Sequence, residues 1–234
     1  MSTALDKQLH NRQLITLLSG IVRVIPEKLA FKGGTCAMLF YDLPRFSFDL
    51  DFDILRPLDK KDIDTAREIL SNYGQIRDEY DKEHTFFFLF DYGKEHKKIK
   101  IEMNKRIWKN NVYKNTLFMG LPLAIQDEST LFTNKLAALS DRKNPVARDL
   151  FDAWFFMSKG FFMSGELIKE RTGKSADEYL CFLLRFIEKV YTKRNILQGL
   201  GEVLDEKQKI WAKNHLIEDA TRLIKDKYIN QNLG

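Results

Sequence analysis

The stretch Phe31–Leu55, FKGGTCAMLFYDLPRFSFDLDFDIL, decides how the first half of the chain is interpreted. A short apolar run ends in a pair of glycines, which is typical of a strand that turns into a helix. Farther along, apolar residues alternate with Asp49, Asp51 and Asp53. Alternation with a period of two predicts a half-buried strand that carries all three carboxylates on one face.

The three aspartates repel one another unless something positive lies between them. Residues two apart on a strand are separated by roughly 6–7 Å, so two carboxylates can share one divalent cation, for which Mg²⁺ is suited. A calcium-binding loop is disfavoured, because apolar residues intervene where such a loop has polar ones. A solvated strand face that bears aspartates by chance stays open as an alternative.

The glycine pair, Gly33 and Gly34, allows the backbone to approach a ligand closely. The pair opens a helix whose first N–H groups and positive dipole end favour phosphate, and Thr35 adds a hydroxyl at the same place. Glycine at this position can also serve only close packing against the strand. Together with the acidic strand, the pattern predicts a phosphate site that faces a metal site.

The rest of the chain predicts an α+β fold. Helical periodicity runs from Asp6 to Ile25 and from Asp62 to Tyr73, and QIRDEY, HTFFFLFDY and KKIKIEMN predict strands of an antiparallel meander. After Pro122 the helical segments are ESTLFTNKLAALSDR, ARDLFDAWFFMSKG, ADEYLCFLLRFIEKVYTKRNIL and roughly 206–228. We therefore expect a mixed or antiparallel sheet flanked by helices in residues 1–120 and a helical bundle in residues 121–234.

The charge of the chain is uneven. The formal net charge is +5, and one segment concentrates basic residues, namely Lys94, Lys97, Lys98, Lys100, Lys105, Arg106, Lys109 and Lys114. Such a segment suits a polyanionic partner such as nucleic acid. The alternative is that these residues only solvate an outer face.

The N-terminus lacks the basic and apolar regions of a secretory signal, and no apolar run approaches the ~20 residues that span a bilayer. We expect a cytoplasmic protein without a membrane segment. Cys36 and Cys181 lie in apolar helical contexts and are expected to be buried, reduced thiols. The four histidines show no metal-ligand spacing.

The motifs Lys32–Thr35, Leu43–Ser47 and Asp49–Asp53 resemble those of the AbiEii/AbiGii-type nucleotidyltransferase toxins. That family belongs to the DNA polymerase β-like nucleotidyltransferase superfamily. Its pattern is a glycine followed by Gly or Ser, a short helix, Asp-x-Asp on the next strand and a third carboxylate on a later strand. Glu102, in Lys100-x-Glu102, fits the third position.

The resemblance implies metal-dependent transfer of a nucleoside monophosphate from a nucleoside triphosphate (NTP) to an acceptor hydroxyl. Asp49, Asp51 and Glu102 would be catalytic and would hold two Mg²⁺ ions. Lys32, Gly33, Gly34 and Thr35 would bind the nucleotide. Asp53 lies on the same strand face and would either support these groups or be structural.

Later motifs of the family also have counterparts. Lys135 in LFTNKLAAL corresponds to a helical lysine that would neutralise the triphosphate and count as catalytic. Arg148, Asp149 and Asp152 match an Arg-Asp-x-x-x-Asp-like element that would bind the nucleotide. A structural ion-pair cluster is the alternative for these three residues. The resemblance covers residues 32–152, and the helices after residue 160 carry no recognisable motif.

As partners, the resemblance implies an RNA acceptor such as the tRNA 3′ end, a role as the toxin of a toxin–antitoxin or phage-defence pair, and a cognate antitoxin. ATP, GTP and CTP are all candidate donors. Transfer to a protein or small molecule, or nucleotide binding without catalysis, stays open, because the acceptor depends on regions without motifs.

Overall fold

The computed structural model describes residues 6–93 and 96–229, and the chain divides into two compact units. The first unit comprises residues 1–107 and 113–126, and the second comprises residues 108–112 and 127–234. A short loop, Trp108–Val112, therefore belongs with the helices that follow residue 126, although two strands of the first unit flank it in sequence.

The first unit is built on a seven-stranded sheet with the order β3-β4-β5-β2-β1-β7-β6. Its strands are β1 Leu29–Lys32, β2 Leu50–Ile54, β3 Gln75–Asp81, β4 Thr85–Asp91, β5 Ile99–Asn104, β6 Tyr113–Phe118 and β7 Leu121–Gln126. The pairs β1/β7 and β2/β5 are parallel, and the other neighbours are antiparallel. The predicted meander of β3, β4 and β5 is confirmed.

Three helices of this unit follow the predicted periodicity: α1 Lys7–Val24, α2 Gly33–Phe40 and α3 Lys60–Ser71. Asp6 caps α1, since its side chain accepts a hydrogen bond from the Leu9 N–H. Asp59 and Asp62 form a capping box at the start of α3. The buried side of α1 is an apolar stripe together with His10, and the stripe consists of Leu14, Leu17, Leu18, Ile21 and Val22.

Strands β6 and β7 were not predicted from the sequence. They form a hairpin whose two-residue turn, Met119 and Gly120, has positive φ angles of +51° and +80°. Pro122 lies inside β7, where proline usually argues against a strand. Because β7 pairs with β1 as well as with β6, this hairpin adds two strands to the sheet on the side of β1 that faces away from β2.

The regular secondary structure of the second unit, over its described residues, is helical. Its helices are α4 Glu128–Asp141, α5 Ala147–Ser158, α6 Gly165–Thr172, α7 Ala176–Val190 and α8 Glu206–Leu223, followed by a π-helical segment, Ile224–Ile229. Helix α5 packs against both α4 and α8, and α7 contacts α6 and α8. The expected α+β fold with a C-terminal helical bundle is confirmed.

Two sequence-based expectations were wrong. Helix α7 ends at Val190 rather than continuing to residue 197, because Asn195 accepts a hydrogen bond from the Thr192 N–H and donates one to the Val190 carbonyl. The Cys181 thiol is exposed, whereas Cys36 is buried as expected. Within residues 6–93 and 96–229, no helix has both the length and the apolar character needed to cross a membrane.

Candidate active site

Three neighbouring strands place charged residues in a row on one face of the sheet. Lys32 of β1 is the Cα partner of Asp51 in β2, and Asp51 is in turn the partner of Glu102 in β5. Side chains of directly paired residues lie on the same face. The structure therefore brings Asp51 and Glu102 together, as the sequence predicts. Lys32 lies on the opposite side of Asp51 from Glu102.

Asp49 immediately precedes β2, and hydrogen bonds hold both its side chain and the main chain around it. The Lys100 backbone N–H donates to Asp49 Oδ1 over 3.1 Å. The Thr35 hydroxyl donates to the Asp49 carbonyl oxygen over 2.5 Å, and His10 Nε2 donates to the Phe48 carbonyl oxygen over 3.0 Å. The Thr35 hydroxyl, predicted as a phosphate donor, thus positions Asp49 in this structure.

Gly33 is required for two independent reasons. Its φ angle is +79°, which favours glycine, and a Cβ atom there would lie 2.1 Å from Asp51 Oδ2. A Cβ atom on Gly34 would lie 2.7 Å from Ser47 Oγ and 3.1 Å from Arg45 Nη2. Close packing, which the sequence offered as an alternative role for the glycine pair, is present at both glycines. At Gly33 it brings the Asp51 carboxylate to the positive end of α2.

Asp53 is enclosed, with 1% of its side chain exposed. Its Oδ1 accepts a hydrogen bond from Lys32 Nζ over 2.5 Å. Its Oδ2 accepts from the Tyr113 hydroxyl over 2.9 Å and from Gln126 Nε2 over 3.0 Å. Tyr113 and Gln126 were not singled out in the sequence, because the strands that carry them were not predicted.

His10 is a buried structural histidine with an altered acidity. Burial lowers its pKa below 6.5, and this effect outweighs the opposing influence of the Phe48 hydrogen bond. The Tyr92 hydroxyl lies 2.6 Å from His10 Nδ1, and burial raises the pKa of Tyr92 to about 12. A neutral imidazole that donates through Nε2 and accepts through Nδ1 satisfies both contacts.

The second unit pairs the charged residues of the later motifs. Lys135 Nζ lies 2.8 Å from Asp152 Oδ2, and Arg142 Nε lies 2.6 Å from Asp149 Oδ2. Both carboxylates are buried on α5, and Arg148 on the same helix is half-buried. Each buried carboxylate therefore has a cationic neighbour, as burial of a charge requires.

Comparison with known proteins identifies the family. Residues 17–222 match the model of the nucleotidyl transferase AbiEii toxin, type IV toxin–antitoxin system. The chain belongs to this family. It is accordingly a nucleotidyltransferase. Members of this family generally use an NTP and a divalent metal, and a toxin of a toxin–antitoxin system has an antitoxin as its partner.

Two solved structures from Helicobacter pylori share the fold of this AbiEii-family chain. JHP933 has a TM-score of 0.56 at 19% identity, with 97% of each chain covered. A second protein, assigned to the nucleotidyltransferases, has a TM-score of 0.57 at 19% identity, with 94% of this chain and 98% of its own covered. No curated protein matches the chain.

The carboxylates of the AbiEii-family site fit a divalent metal by their chemistry. Among the described residues, no three side chains of His, Cys, Asp or Glu form a ready metal site. Mg²⁺ is usually held by one or two carboxylates together with substrate phosphates and water. Asp51 and Glu102, paired in register, are two carboxylates of the kind that Mg²⁺ takes, and Asp49 lies directly before the same strand.

Proposed function

We propose that this protein transfers a nucleoside monophosphate from an NTP to an acceptor hydroxyl on RNA, such as the tRNA 3′ end, in a Mg²⁺-dependent reaction. The observation that carries the proposal is the row of Lys32, Asp51 and Glu102 on three neighbouring strands, with Gly33 packed against the Asp51 carboxylate. Membership of the AbiEii family supports the same class of reaction.

Each group of the site has a distinct role in the proposal. Asp49, Asp51 and Glu102 would hold two Mg²⁺ ions, which would supply charge neutralisation for the transfer when bound. The first N–H groups of α2, at Gly33 and Gly34, bind phosphate oxygens, which a helix N-terminus favours. Thr35 contributes by holding the backbone of Asp49.

The chemical step is an in-line displacement. The oxygen of the acceptor hydroxyl forms a bond to the α-phosphorus, and the bond from the α-phosphorus to the bridging oxygen of the β-phosphate breaks. Its electron pair leaves with pyrophosphate. The Glu102 carboxylate accepts the hydroxyl proton as general base.

Residues of the second unit keep the roles that the family resemblance implies. Lys135 is proposed to neutralise the triphosphate, since lysine is a compact cation, and Asp152 lies 2.8 Å from its ammonium group. Arg148 and Asp149 are proposed to bind the nucleotide. With Asp152, which the resemblance also gives to nucleotide binding, these four assignments are predictions, and breaking the Lys135–Asp152 pair tests those of its two members.

The basic segment supports RNA as the acceptor. Lys98 and Lys100 are exposed at the start of β5, the strand that carries Glu102. Lys100 and Glu102 are two residues apart and therefore lie on the same face of the sheet. Exposed lysines near the proposed general base suit an acceptor with a phosphate backbone. Lys94 of this segment lies outside the described residues.

A labelling experiment tests the proposal. The purified protein is incubated with Mg²⁺, total tRNA and each α-labelled NTP in turn, alongside Asp51→Asn and the matched control Asp78→Asn, which changes an exposed strand aspartate. We expect label on RNA with the wild type and the control but not with Asp51→Asn. Label on the protein itself would indicate a protein acceptor, and equal labelling by Asp51→Asn would overturn the proposed site.

The family also places the protein in a toxin–antitoxin system, and the cytoplasm is the compartment that we propose for the reaction. Expression of the wild type without an antitoxin is expected to arrest growth, whereas Asp51→Asn is expected to be harmless. Equal toxicity of the two proteins at equal levels would contradict a toxic role for nucleotidyl transfer.

A further inference from the structure

Asp53 shares a strand face with Asp51, but its surroundings differ. Both of its carboxylate oxygens already accept hydrogen bonds, Oδ1 from Lys32 Nζ and Oδ2 from Tyr113 and Gln126. A buried carboxylate needs a compensating charge and hydrogen-bond donors. These three donors supply both, so the burial of Asp53 is explained without a metal ion.

Lys32 connects Asp53 to the candidate active site. It is the last residue of β1, directly before Gly33, and its Cα partner is Asp51. In contrast to the enclosed Asp53, 20% of the Lys32 side chain is exposed. An ammonium group carries three N–H donors, and Asp53 accepts one of them.

We propose that Asp53 is a positioning residue, which holds the ammonium group of Lys32, the register partner of Asp51, so that Lys32 donates to phosphate oxygens of the NTP. A lysine side chain has much rotamer freedom, so holding it in place beforehand lowers the cost of binding. This inference rests on the proposed function. It assigns the third aspartate to the nucleotide-binding lysine rather than to the metal.

Nucleotide binding without turnover tests the inference. The probe is the α,β-methylene analogue of each NTP, which cannot release pyrophosphate, and calorimetry gives its Kd and the Mg²⁺ concentration for half-maximal binding. We expect Asp53→Asn and Lys32→Met each to raise the Kd about tenfold or more. The double variant should be no weaker than either single variant, because the two residues act as one unit.

The Mg²⁺ dependence separates positioning from metal ligation. Asp53→Asn is expected to leave the half-saturating Mg²⁺ concentration unchanged, whereas Asp51→Asn is expected to raise it. If Asp53→Asn raised the half-saturating Mg²⁺ concentration as much as Asp51→Asn does, Asp53 would be identified as a metal ligand and the inference would be overturned. A folded Lys32→Met variant with wild-type Kd would also overturn it, because the ion pair would then be structural only.

Two milder variants keep the inference testable if the charge-removing ones do not fold. Tyr113→Phe removes one donor to Asp53 and keeps both charges, and Lys32→Arg keeps the cation but changes its shape. Both are expected to raise the Kd of the analogue with a smaller change in kcat. Wild-type Kd in both variants would overturn the inference.

The same measurements separate failure of this inference from failure of the proposed function. The proposed function fails if the wild type binds none of the α,β-methylene NTP analogues, or if Asp51→Asn transfers nucleotide like the wild type. In either case the inference fails with it. If Asp51→Asn is inactive but the Lys32 and Asp53 variants bind analogue like the wild type, the inference alone fails.

Discussion

The Asp51 carboxylate occupies the space that a side chain at residue 33 would fill. A Cβ atom on Gly33 would lie 2.1 Å from Asp51 Oδ2, closer than non-bonded atoms can approach. The glycine turn and the acidic strand are therefore one structural unit rather than two separate motifs. Because of this contact, any side chain at residue 33 would displace the Asp51 carboxylate.

Gly33→Ala is expected to abolish nucleotidyl transfer and to destabilise the protein, because it adds a clash with Asp51 to the strain of a positive φ. The matched control is Gly120→Ala, since Gly120 has a φ of +80° but a Cβ atom there would meet nothing within 4 Å. The control should cost only about 1–2 kcal/mol and keep activity. Urea unfolding and the labelling assay measure both effects, and equal effects of the two substitutions would contradict the clash.

Glu102→Gln is expected to raise the Mg²⁺ concentration for half-maximal activity and to lower the maximal rate about a hundredfold or more, as loss of several kcal/mol of transition-state stabilisation implies. Glu68→Gln, on the exposed side of α3, is the control and should behave like the wild type. Rates over a Mg²⁺ titration provide the measurement. An unchanged rate in Glu102→Gln would remove it from the site.

Lys135→Met should destabilise the second unit by about 3–5 kcal/mol, because it removes the cation that lies 2.8 Å from the buried Asp152 carboxylate. The double variant Lys135→Met/Asp152→Leu should recover most of that stability. The three tryptophans, Trp108, Trp154 and Trp211, all belong to this unit, so their fluorescence during urea unfolding reports on it.

Activity of the double variant then separates the two roles of Lys135. If Lys135 or Asp152 contacts the nucleotide, the restored double variant stays inactive. If the Lys135–Asp152 pair is only structural, transfer activity returns together with stability. The second outcome would show that Lys135 is not a catalytic residue.

Stability should fall as the pH drops below 6.5, in part because of His10. Burial holds its pKa below that value in the folded state, so the unfolded state binds more protons in this range and is favoured there. The contribution is fully present above pH 6.5 and is lost as the pH falls toward the folded pKa. The charged and titratable groups that act on His10 include Asp49, Lys97 and His96, and the Tyr92 hydroxyl contacts its ring.

His10→Gln should weaken this pH dependence, because glutamine can replace both hydrogen bonds without titrating. His84→Gln is the control, since the His84 side chain is 62% exposed. Urea midpoints by circular dichroism at pH 7.5, 6.5 and 5.5 make the comparison. Equal slopes with pH in the wild type and His10→Gln would contradict the assignment.

Binding of tRNA should weaken with salt, and Lys100→Gln should lower the slope of log K against log[salt] by about one if Lys100 contacts a phosphate. The substitution keeps the backbone N–H that binds Asp49. Lys207→Gln, at an exposed site in the second unit, is the control. Filter binding at several salt concentrations measures the slope, and identical slopes for all three proteins would exclude Lys100 from the RNA surface.

Much of the fold could be predicted because its signals are local. The apolar stripe of α1 and the alternation in β2 and β5 reflect periods of 3.6 and 2.0 residues, which neighbouring residues alone reveal. The hairpin of β6 and β7 has no comparable signal. Its strand β7 contains Pro122 and pairs with β1, which is distant in sequence, so only long-range contacts reveal it.

The sequence by itself determined the chemistry that the first unit can offer, since a glycine pair before a helix and alternating aspartates are local patterns that set residue types and strand face. Only the tertiary structure decided which partner each carboxylate has. Strand register places Asp51 beside Glu102, and the unpredicted hairpin supplies the donors that enclose Asp53 with Lys32. Local periodicity tells which face a side chain occupies, whereas its neighbours across the sheet depend on how distant strands pair.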